Sequence, residues 1–515
     1  MAASRMAVRA QPRPITPPHY PIIYVRGYAA TMGEIEETVG TPYMGFNLGS
    51  TKVRQGHEDD KPVRFIFESP LIRLMKDETY TDTYEDGDFV DEDQRVDSRS
   101  VWIFRYYEED SKSFGDGKKD SIEDYAKKLS KFILRVRKQV CQGNAEELAK
   151  FKVYLVAHSM GGLICRTYLQ NVARKRHYVD KVFTYATPHG GIEIEGLNVP
   201  DLGAIDKLHV RNFNHDYMKQ YLRLSKSARV TSLDGAFCPN RFFCFVGTNY
   251  KDYDAFFGLS KRVTGPAGDG LVMMENAVVD DAPRAFAHRS HSGPFGIVNS
   301  EEGYQNLRRF LFGDVRVDAC LAVDEITLPR AVQKEKKAGK RIRARYNIDA
   351  SAKVRGGGIY LSERRVRNES AIREKYEDLV EEKKPVYLFS GFLLKSAKTK
   401  ARDTALAFAL EIAIEVPLFE VNRKFWFDEH FEGETLLNET VTLHLRWSGD
   451  QPTLRYGLRT HVGSGHAFKS VALSDPDEDG RRLCEIPLGF REGSKTPPRP
   501  GFRGRLLLTT SPWNT

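Results

Sequence analysis

Residues 152–162 have the pattern of a buried strand that turns directly into a helix. The segment reads Lys-Val-Tyr-Leu-Val-Ala-His-Ser-Met-Gly-Gly, and its aliphatic run is typical of an interior strand in a parallel sheet. Beyond the bend, apolar residues recur at helical spacing, at Ile164, Cys165, Tyr168, Leu169 and Val172. The sequence therefore predicts a strand, a sharp turn at Ser159 and a helix.

Small residues flank this serine. Ala157 and Gly161 lie two positions before and two positions after Ser159. A nucleophilic serine at such a bend has a strained backbone, and a large side chain at either position would collide with the neighbouring strand and helix. The bend exposes the hydroxyl and leaves the next backbone N–H, that of Met160, free to face a developing oxyanion. The alternative is an ordinary strand–helix turn without a chemical role.

A serine hydroxyl becomes a good nucleophile only when a base removes its proton and an acid orients that base. In a fold with this bend, the chain order is serine, then acid, then histidine. Asp269 lies in the glycine loop Gly-Asp-Gly-Leu-Val and is the predicted acid. His291 is followed by Ser292 and Gly293, which leave room for substrate, and it is the predicted base.

Other residues compete for these roles. Asp252 and Asp254 are rival acids because they lie nearer the end of the preceding strand. His288 is the rival base, but it falls within the next strand or at its edge. Two further histidines receive structural interpretations: His158 packs beneath the bend, and His189 braces the loop after a strand.

The second oxyanion donor is expected in the loop after the first strand. Gly27 lets the backbone turn, so that the N–H of Tyr28 can point at the same oxygen as the N–H of Met160. Loss of one such donor typically lowers turnover by about 10²–10³-fold. The sequence therefore predicts a donor pair at Tyr28 and Met160.

Strand and helix patterns alternate over residues 20–315, which predicts a parallel sheet covered by helices on both faces. The predicted strands are residues 21–26, 63–67, 101–106, 152–157, 181–186, 241–247 and 283–287. Helices are predicted over 121–142, where Ser121 and Asp124 form a capping pair, and over 300–312. Residues 192–237 are a predicted cap insertion. The acidic insertion 77–97 is predicted to be a solvated loop, with a calcium site as the alternative.

At 515 residues the chain is predicted to contain more than one domain. Residues 1–19 are predicted to be a flexible segment. Over residues 320–515 the pattern changes to short alternating runs punctuated by Gly and Pro, which predicts an all-β, sandwich-like accessory domain. Only residues 369–382 look helical there. The six cysteines have no metal-site spacing, so no bound metal is expected; free thiols are predicted, with a close approach of Cys238 and Cys244 in a loop as the alternative.

The net charge of +8 is uneven. Residues 320–515 hold 34 Lys and Arg against 27 Asp and Glu, a net charge of +7, with the densest run at residues 334–345. A solvated loop and strand face is the simpler interpretation, and peripheral contact with an anionic membrane is the sharper one. Nucleic acid is not an expected partner, because no aromatics are interleaved with these charges. The oligomeric state is left open.

No apolar signal-peptide core appears in residues 1–19, and no run of about 18 uncharged apolar residues occurs. The expected location is therefore cytoplasmic, with export only by a route that reads no such signal.

Residues 20–315 resemble α/β-hydrolases of the bacterial lipase and GPI-inositol-deacylase-like group. Four motifs carry the resemblance: Ala-His-Ser-Met-Gly-Gly, Ala-Thr-Pro-His-Gly, Gly-Asp-Gly-Leu-Val and His-Ser-Gly. The resemblance implies Ser159 as nucleophile, Asp269 as acid and His291 as base, with Tyr28 and Met160 as the oxyanion hole and no cofactor. One departure is that lipases of this group usually have His-Gly in the oxyanion loop, where this chain has Arg26-Gly27.

The resulting hypothesis is a serine carboxylic ester hydrolase of lipase, phospholipase or esterase type, whose substrate is an ester or lipid. Residues 255–259 (Ala-Phe-Phe-Gly-Leu) would line an acyl pocket or belong to the core. An acyltransferase or thioesterase with the same triad is one alternative. A catalytically inactive hydrolase fold that binds a lipid or a partner is the other.

Overall fold

The structure is a computed structural model. It describes residues 11–27, 32–55, 62–85, 88–194, 197–198, 210–253, 267–354, 359–364, 370–397, 405–421, 429–448, 451–461 and 468–514. The chain forms two compact units. The first comprises Met1–Cys244, Glu275–Ala282 and Ser292–Ser300, and the second comprises Phe245–Met274, Pro283–His291 and Glu301–Thr515. The predicted segments 1–19, 20–315 and 320–515 stay predictions.

The first unit alternates strands and helices. Its helices are α1 (Met32–Val39), α2 (Pro70–Glu78), α3 (Ile122–Cys141), α4 (Ala145–Lys150), α5 (Met160–Thr167) and α6 (His215–Tyr221). Its strands are β1 (Ile22–Val25), β2 (Ser50–Gln55), β3 (Pro62–Phe67), β4 (Thr81–Asp82), β5 (Tyr84–Glu85), β6 (Asp88–Phe89), β7 (Ser100–Phe104), β8 (Val153–His158), β9 (Val179–Tyr185), β10 (Glu193–Ile194) and β11 (Leu197–Asn198). Strand β12 (Phe242–Gly247) begins in the first unit and ends in the second, where β13 (Arg284–Ala287) follows.

The central sheet has seven strands in the order β13-β12-β9-β8-β1-β7-β4. Strands β4, β7, β1, β8 and β9 run parallel to one another. All residues of β1 and β7 are buried, as expected for strands of a parallel sheet that are covered on both faces. The predicted α/β-hydrolase fold is confirmed.

Helix α3 begins where the sequence predicted it. The hydroxyl of Ser121 accepts a hydrogen bond from the N–H of Asp124 at 3.1 Å and donates one to the Asp124 carboxylate at 2.7 Å. These bonds satisfy one of the free N–H groups of the first turn and confirm the capping pair.

The predicted strand at 63–67 is present as β3, but it is not a member of the central sheet. It forms a hairpin with β2 instead. Phe65 and Phe67 are buried on one side of this hairpin, whereas Val53 and Ile66 on the other side are 53% and 62% exposed. The sequence pattern alone could not distinguish a hairpin with one solvated face from an interior strand.

Both predicted insertions contain short elements. Residues 192–237 include the β10–β11 hairpin and α6, and residues 77–97 include β4, β5 and β6. In the acidic insertion, Glu92 and Asp93 each form an ion pair, with Arg135 and Lys138 of α3. Within the described parts of the chain, no group of three or more His, Cys, Asp or Glu side chains could hold a metal ion.

In the part of the chain that the structure describes, the second unit continues from β13 with short α-helices and mostly long strands. The helices are α7 (Glu301–Phe312), α8 (Arg330–Lys337) and α9 (Tyr376–Val380). The strands are β14 (Val315–Thr327), β15 (Ile342–Val354), β16 (Tyr360–Arg364), β17 (Ile372–Lys375), β18 (Val386–Leu393), β19 (Ala405–Glu415), β20 (Leu418–Val421), β21 (Glu429–Glu432), β22 (Thr435–Ser448), β23 (Gln451–Leu458), β24 (Lys469–Val471), β25 (Arg482–Gly489) and β26 (Gly501–Pro512).

Most of these strands form two antiparallel sheets. The smaller has the order β18-β14-β26-β25, and the larger has the order β21-β20-β15-β19-β22-β23-β24, with β16 and β17 also paired to β15. One apolar core contains side chains from both sheets, among them Leu321 and Leu506 of the smaller and Tyr346 and Leu443 of the larger. The predicted sandwich-like β domain is confirmed, because two sheets that share a core are what defines a sandwich.

Two local predictions in this unit are wrong. Residues 369–382 were expected to be helical, but Ile372 is buried and pairs with Ile348 of β15, so a strand precedes the single turn of α9. The basic run at 334–345 was expected to be loop and strand, but its first residues belong to α8. That helix follows Pro329 and packs the fully buried side chain of Val332.

All six cysteines are free thiols. None of the helices in the described part of the chain combines the length and the apolar character needed to cross a membrane.

Candidate active site

Ser159 occupies the bend between β8 and α5, with φ of 52° and ψ of −130°. A positive φ is unfavourable for any residue with a Cβ atom and persists only where the surroundings hold it. Here the N–H of Ser159 donates to the carbonyl of Tyr185 at 2.9 Å, and its own carbonyl accepts from the N–H of Gly162 at 3.0 Å. The strand on one side and the helix on the other therefore fix the predicted bend.

The small residues around the bend are sterically required. A Cβ atom on Gly161 would lie 2.3 Å from the carbonyl oxygen of Val25, and one on Gly162 would lie 2.3 Å from the hydroxyl of Thr187. Ala157 is fully buried. The start of α5 therefore packs directly against the backbone of β1, and this contact leaves no space for a side chain at Gly161.

The loop after β1 passes over the serine. A Cβ atom on Gly27 would lie 2.7 Å from the Cβ atom of Ser159 and 3.0 Å from the carbonyl oxygen of His158. The hydroxyl of Tyr106 donates to the carbonyls of Arg26 and Gly27, at 2.9 Å and 3.2 Å. Tyr106 thus holds two carbonyls of this loop. No local sequence pattern signals that role, because the contact joins residues about 80 positions apart.

Of the two predicted oxyanion donors, Met160 lies within the described residues and Tyr28 lies outside them. Met160 is the first residue of α5, so its N–H is among the four that a helix leaves without an intrahelical acceptor. The positive end of the helix dipole also lies there, which favours negative charge beside Ser159.

Arg166 links α5 to the loops that follow β9. The side chain is fully buried, and it donates to the side-chain oxygen of Gln170 and to the carbonyls of His189, Val230 and Ser232, at 2.7–3.1 Å. These partners are neutral oxygens, and burial lowers the pKa of the guanidinium to about 10. Arg166 remains a cation at neutral pH and joins α5 to the loops that follow β9. Its role cannot be recognised from the sequence, because a single arginine in a helix usually lies at the surface.

His189 is buried beside this cation. Its Nε2 lies 3.2 Å from the hydroxyl of Thr184 on β9. Burial, and then the charge of Arg166, hold the pKa of the His189 imidazole well below its ordinary value of 6.5, so the ring is neutral. This position agrees with the structural interpretation, in which His189 braces the loop after a strand.

The second unit contains a buried acid–base pair. The Nδ1–H of His291 donates to Oδ2 of Asp269 at 2.9 Å, and the His291 backbone N–H donates to the Asp269 carbonyl at 3.0 Å. The other carboxylate oxygen accepts from the N–H groups of Leu271 and Val272, at 3.0 Å and 2.8 Å. Both side chains are at most 3% exposed. Asp269 is thereby oriented by four contacts in a tight loop.

Glycines make that loop possible. Gly270 has φ of 98°, and a Cβ atom on Gly247 would lie 2.8 Å from the Cβ atom of Asp269. The ring of Tyr253 lies 5.2 Å from that of His291. Of the rival acids, Asp252 accepts a hydrogen bond from the side chain of Asn249, and Asp254 lies outside the described residues. The imidazole bonded to Asp269 is that of His291.

Ser159 and Met160 therefore belong to the first unit, and Asp269 and His291 belong to the second. The union of the serine with the acid–base pair as a triad remains a proposal.

The palmitoyl protein thioesterase family matches residues 103–226, less than half of the chain. The match includes the bend at Ser159 but neither Asp269 nor His291. A search of the curated proteins found no match.

Several solved structures are similar to the chain. They include the product of the gene lin2722 of Listeria innocua (10% identity, 57% of this chain and 94% of that chain, TM-score 0.29) and the lipase BlEst2 of Bacillus licheniformis in its propeptide form (11% identity, 85% and 96%, TM-score 0.29). The phospholipase PlaB of Legionella pneumophila is another (11% identity, 80% and 91%, TM-score 0.32). TM-scores of this size support no conclusion about this chain, so the fold assignment rests on its own sheet and bend.

The packing at Gly161 predicts that Gly161→Ala destabilises the protein by about 1–3 kcal/mol, because the new methyl group would overlap a backbone carbonyl of β1. Thermal unfolding measures this loss, and labelling by a fluorophosphonate probe reports whether Ser159 stays reactive. Gly391→Ala is the control, since the nearest atom to its Cβ would lie at 3.7 Å, an ordinary contact. Equal unfolding temperatures for the two variants would contradict the packing described here.

Because the folded-state pKa of His189 is depressed, the unfolded chain binds a proton below about pH 6.5 that the folded protein does not bind. The contribution of His189 to stability is thus complete above about pH 6.5 and is lost as the pH falls. We expect the free energy of unfolding, measured by urea denaturation, to fall towards pH 5 less steeply in His189→Gln, by up to about 1.4 kcal/mol per pH unit. Parallel pH profiles for the two proteins would refute this assignment.

Proposed function

We propose that the chain hydrolyses carboxylic esters through an acyl-enzyme, with Ser159 as nucleophile, His291 as base and Asp269 as the acid that orients it. The observation that supports this most strongly is the positive φ of Ser159 at a strand–helix bend. Strain of this kind costs about 1–3 kcal/mol and is typical of functional sites. The buried hydrogen bond between His291 and Asp269 supplies the other half of the proposal.

The tautomer of His291 follows from its partner. A carboxylate only accepts hydrogen bonds, so Nδ1 carries the proton that is shared with Asp269, and Nε2 is the basic nitrogen of the ring. In the proposed reaction Nε2 takes the proton of Ser159 as Oγ bonds to the acyl carbon. The same proton then passes to the leaving alkoxide as the ester C–O bond breaks. Water then attacks the acyl carbon while Nε2 takes its proton, and that proton passes to Oγ as the bond between Oγ and the acyl group breaks and the acid is released. These steps need no metal or cofactor.

Negative charge develops on the acyl oxygen in both steps. We propose that the N–H groups of Met160 and Tyr28 donate to this oxygen, as in other hydrolases with this bend. The position of Met160 at the start of α5 supports its part of the proposal. The proposed substrate of the protein is an ester or lipid. Residues 255–259, the proposed acyl-pocket segment, lie outside the described residues.

A thioesterase is the second candidate, and the match to the palmitoyl protein thioesterase family supports it. The same residues would serve, with a thiolate in place of the alkoxide. A thiol with a pKa of about 8.5 leaves more easily than an alcohol, so protonation of the leaving group would matter less. An acyltransferase would differ only in the acceptor, which would be an alcohol rather than water.

The triad proposal predicts that Ser159→Ala abolishes both fluorophosphonate labelling and hydrolysis of short p-nitrophenyl esters. Asp269→Asn should lower kcat by about 10⁴-fold, because the amide favours the wrong imidazole tautomer. His291→Ala should lose activity to a similar extent.

The rival residues are the matched controls: Asp252→Asn and His288→Ala should retain most of the activity. Wild-type protein that neither labels nor hydrolyses any ester would refute catalysis and favour an inactive hydrolase fold that binds a lipid or partner. Loss of activity in His288→Ala with retention in His291→Ala would reverse the assignment of the base.

The two candidate functions predict different substrate preferences. Oxygen esterases should cleave p-nitrophenyl palmitate with kcat/KM about tenfold or more above that for a palmitoyl thioester of N-acetylcysteamine, and a thioesterase should show the opposite order. Product analysis in the presence of added glycerol separates both from an acyltransferase, which would form the glycerol ester.

A further inference from the structure

A basic groove lies on the larger sheet of the second unit, at β15 and the strands paired with it. It has a volume of about 540 Å³. The charged side chains that line it are Arg341, Arg343, Arg345, Lys375, Glu377 and Glu420. Four cations and two carboxylates therefore line one concave site, and neither Asp269 nor His291 is among its lining residues.

The strand period explains why the cations share one face. Along β15, Ile342, Ala344 and Tyr346 are buried in the core, while Arg343 and Arg345 between them are exposed. Successive side chains of a strand point to opposite faces, so the two arginines lie together on the side away from the core. The same alternation that buries Ile342, Ala344 and Tyr346 therefore places the two arginines on the opposite face.

The pairing of the strands brings like charges together. Arg345 of β15 is directly opposite Lys375 of β17, and Arg343 is directly opposite Glu420 of β20. Like charges at directly opposite positions destabilise a sheet, whereas opposite charges stabilise it. The Arg345–Lys375 pair is thus expected to lower the stability of the sheet, so stability does not explain why both positions are basic.

Two carboxylates offset only half of the charge of these four cations. Glu377 forms an ion pair with Arg341 at 3.1 Å. Across the residues that the structure describes, no hydrogen bond or ion pair joins the side chains of Arg343, Arg345 or Lys375 to a carboxylate. The groove therefore holds a surplus of positive charge that an anion could neutralise.

We propose that this groove binds a phosphate group, with Arg343, Arg345 and Lys375 as its ligands. Guanidinium groups bind phosphate oxygens in a bidentate manner, and a lysine adds a compact charge. A phosphomonoester carries a charge of about −1.5 to −2 at neutral pH, which suits several cations better than the single charge of a carboxylate does. The phosphate can belong to a soluble phosphate ester or to a lipid head group. Binding is independent of the chemistry at Ser159.

The test uses the full chain and two probes. Isothermal titration calorimetry measures binding of inorganic pyrophosphate, and cosedimentation measures binding to phosphatidylcholine vesicles that contain one-fifth phosphatidic acid, with pure phosphatidylcholine as reference. The variant Arg345→Gln/Lys375→Gln should weaken binding about tenfold or more. The control Arg491→Gln/Lys495→Gln removes the same charge from exposed positions of the same unit and should bind as wild type does.

A separate variant guards against misfolding. Lys375→Glu would place opposite charges across β15 and β17, so its unfolding temperature should equal or exceed that of wild type while binding is lost. Binding of pyrophosphate alone, or of both probes, assigns the groove to soluble phosphate esters or to phosphate in general. Binding to phosphatidic acid vesicles alone assigns it to lipid head groups. No binding of either probe, or equal loss in the control variant, would overturn the proposal.

Discussion

The contact between the start of α5 and the backbone of β1 is the constraint on which the candidate site depends. Gly161 has no side chain because the carbonyl of Val25 occupies that space, and this close approach places the helix where Ser159 must adopt a positive φ. The same approach brings Gly27 against the Cβ atom of Ser159. The start of α5 and the loop after β1 therefore both pack closely around Ser159, as the proposed nucleophile elbow requires.

Much of this site could be predicted from the sequence because its signals are local. The strand, the bend and the helix around Ser159 are contiguous, and their small residues lie at fixed offsets. The loop of Asp269 was recognisable from its glycines, since Gly270 needs the positive φ that it adopts. His291 was preferred over His288 because small residues follow it and because His288 lies within a strand or at its edge, and the structure adds the hydrogen bond of His291 to Asp269.

Other features depend on contacts between distant residues, which no local pattern reveals. Tyr106 holds the loop after β1, and Arg166 joins α5 to the carbonyls of residues more than 20 positions away. The predictions for β3 and α8 were wrong for a different reason. A short apolar run fits an interior strand and a one-sided hairpin equally well. Helix α8 has one buried residue, Val332, among mostly charged residues, so its sequence shows no apolar helical pattern.

Arg166, Ser159 and the Arg345–Lys375 pair each lower stability locally, and their surroundings distinguish them. Arg166 is a buried cation, but four hydrogen bonds to neutral oxygens satisfy it, so its role is structural. Ser159 is strained, and the packing around it holds the strain without relieving it. The Arg345–Lys375 contact is unfavourable, and in the described residues no carboxylate bonds to either cation. A feature that lowers stability and has no stabilising contact to offset it is expected where a site serves a ligand. The functional proposals therefore rest on the bend at Ser159 and on the basic groove rather than on Arg166.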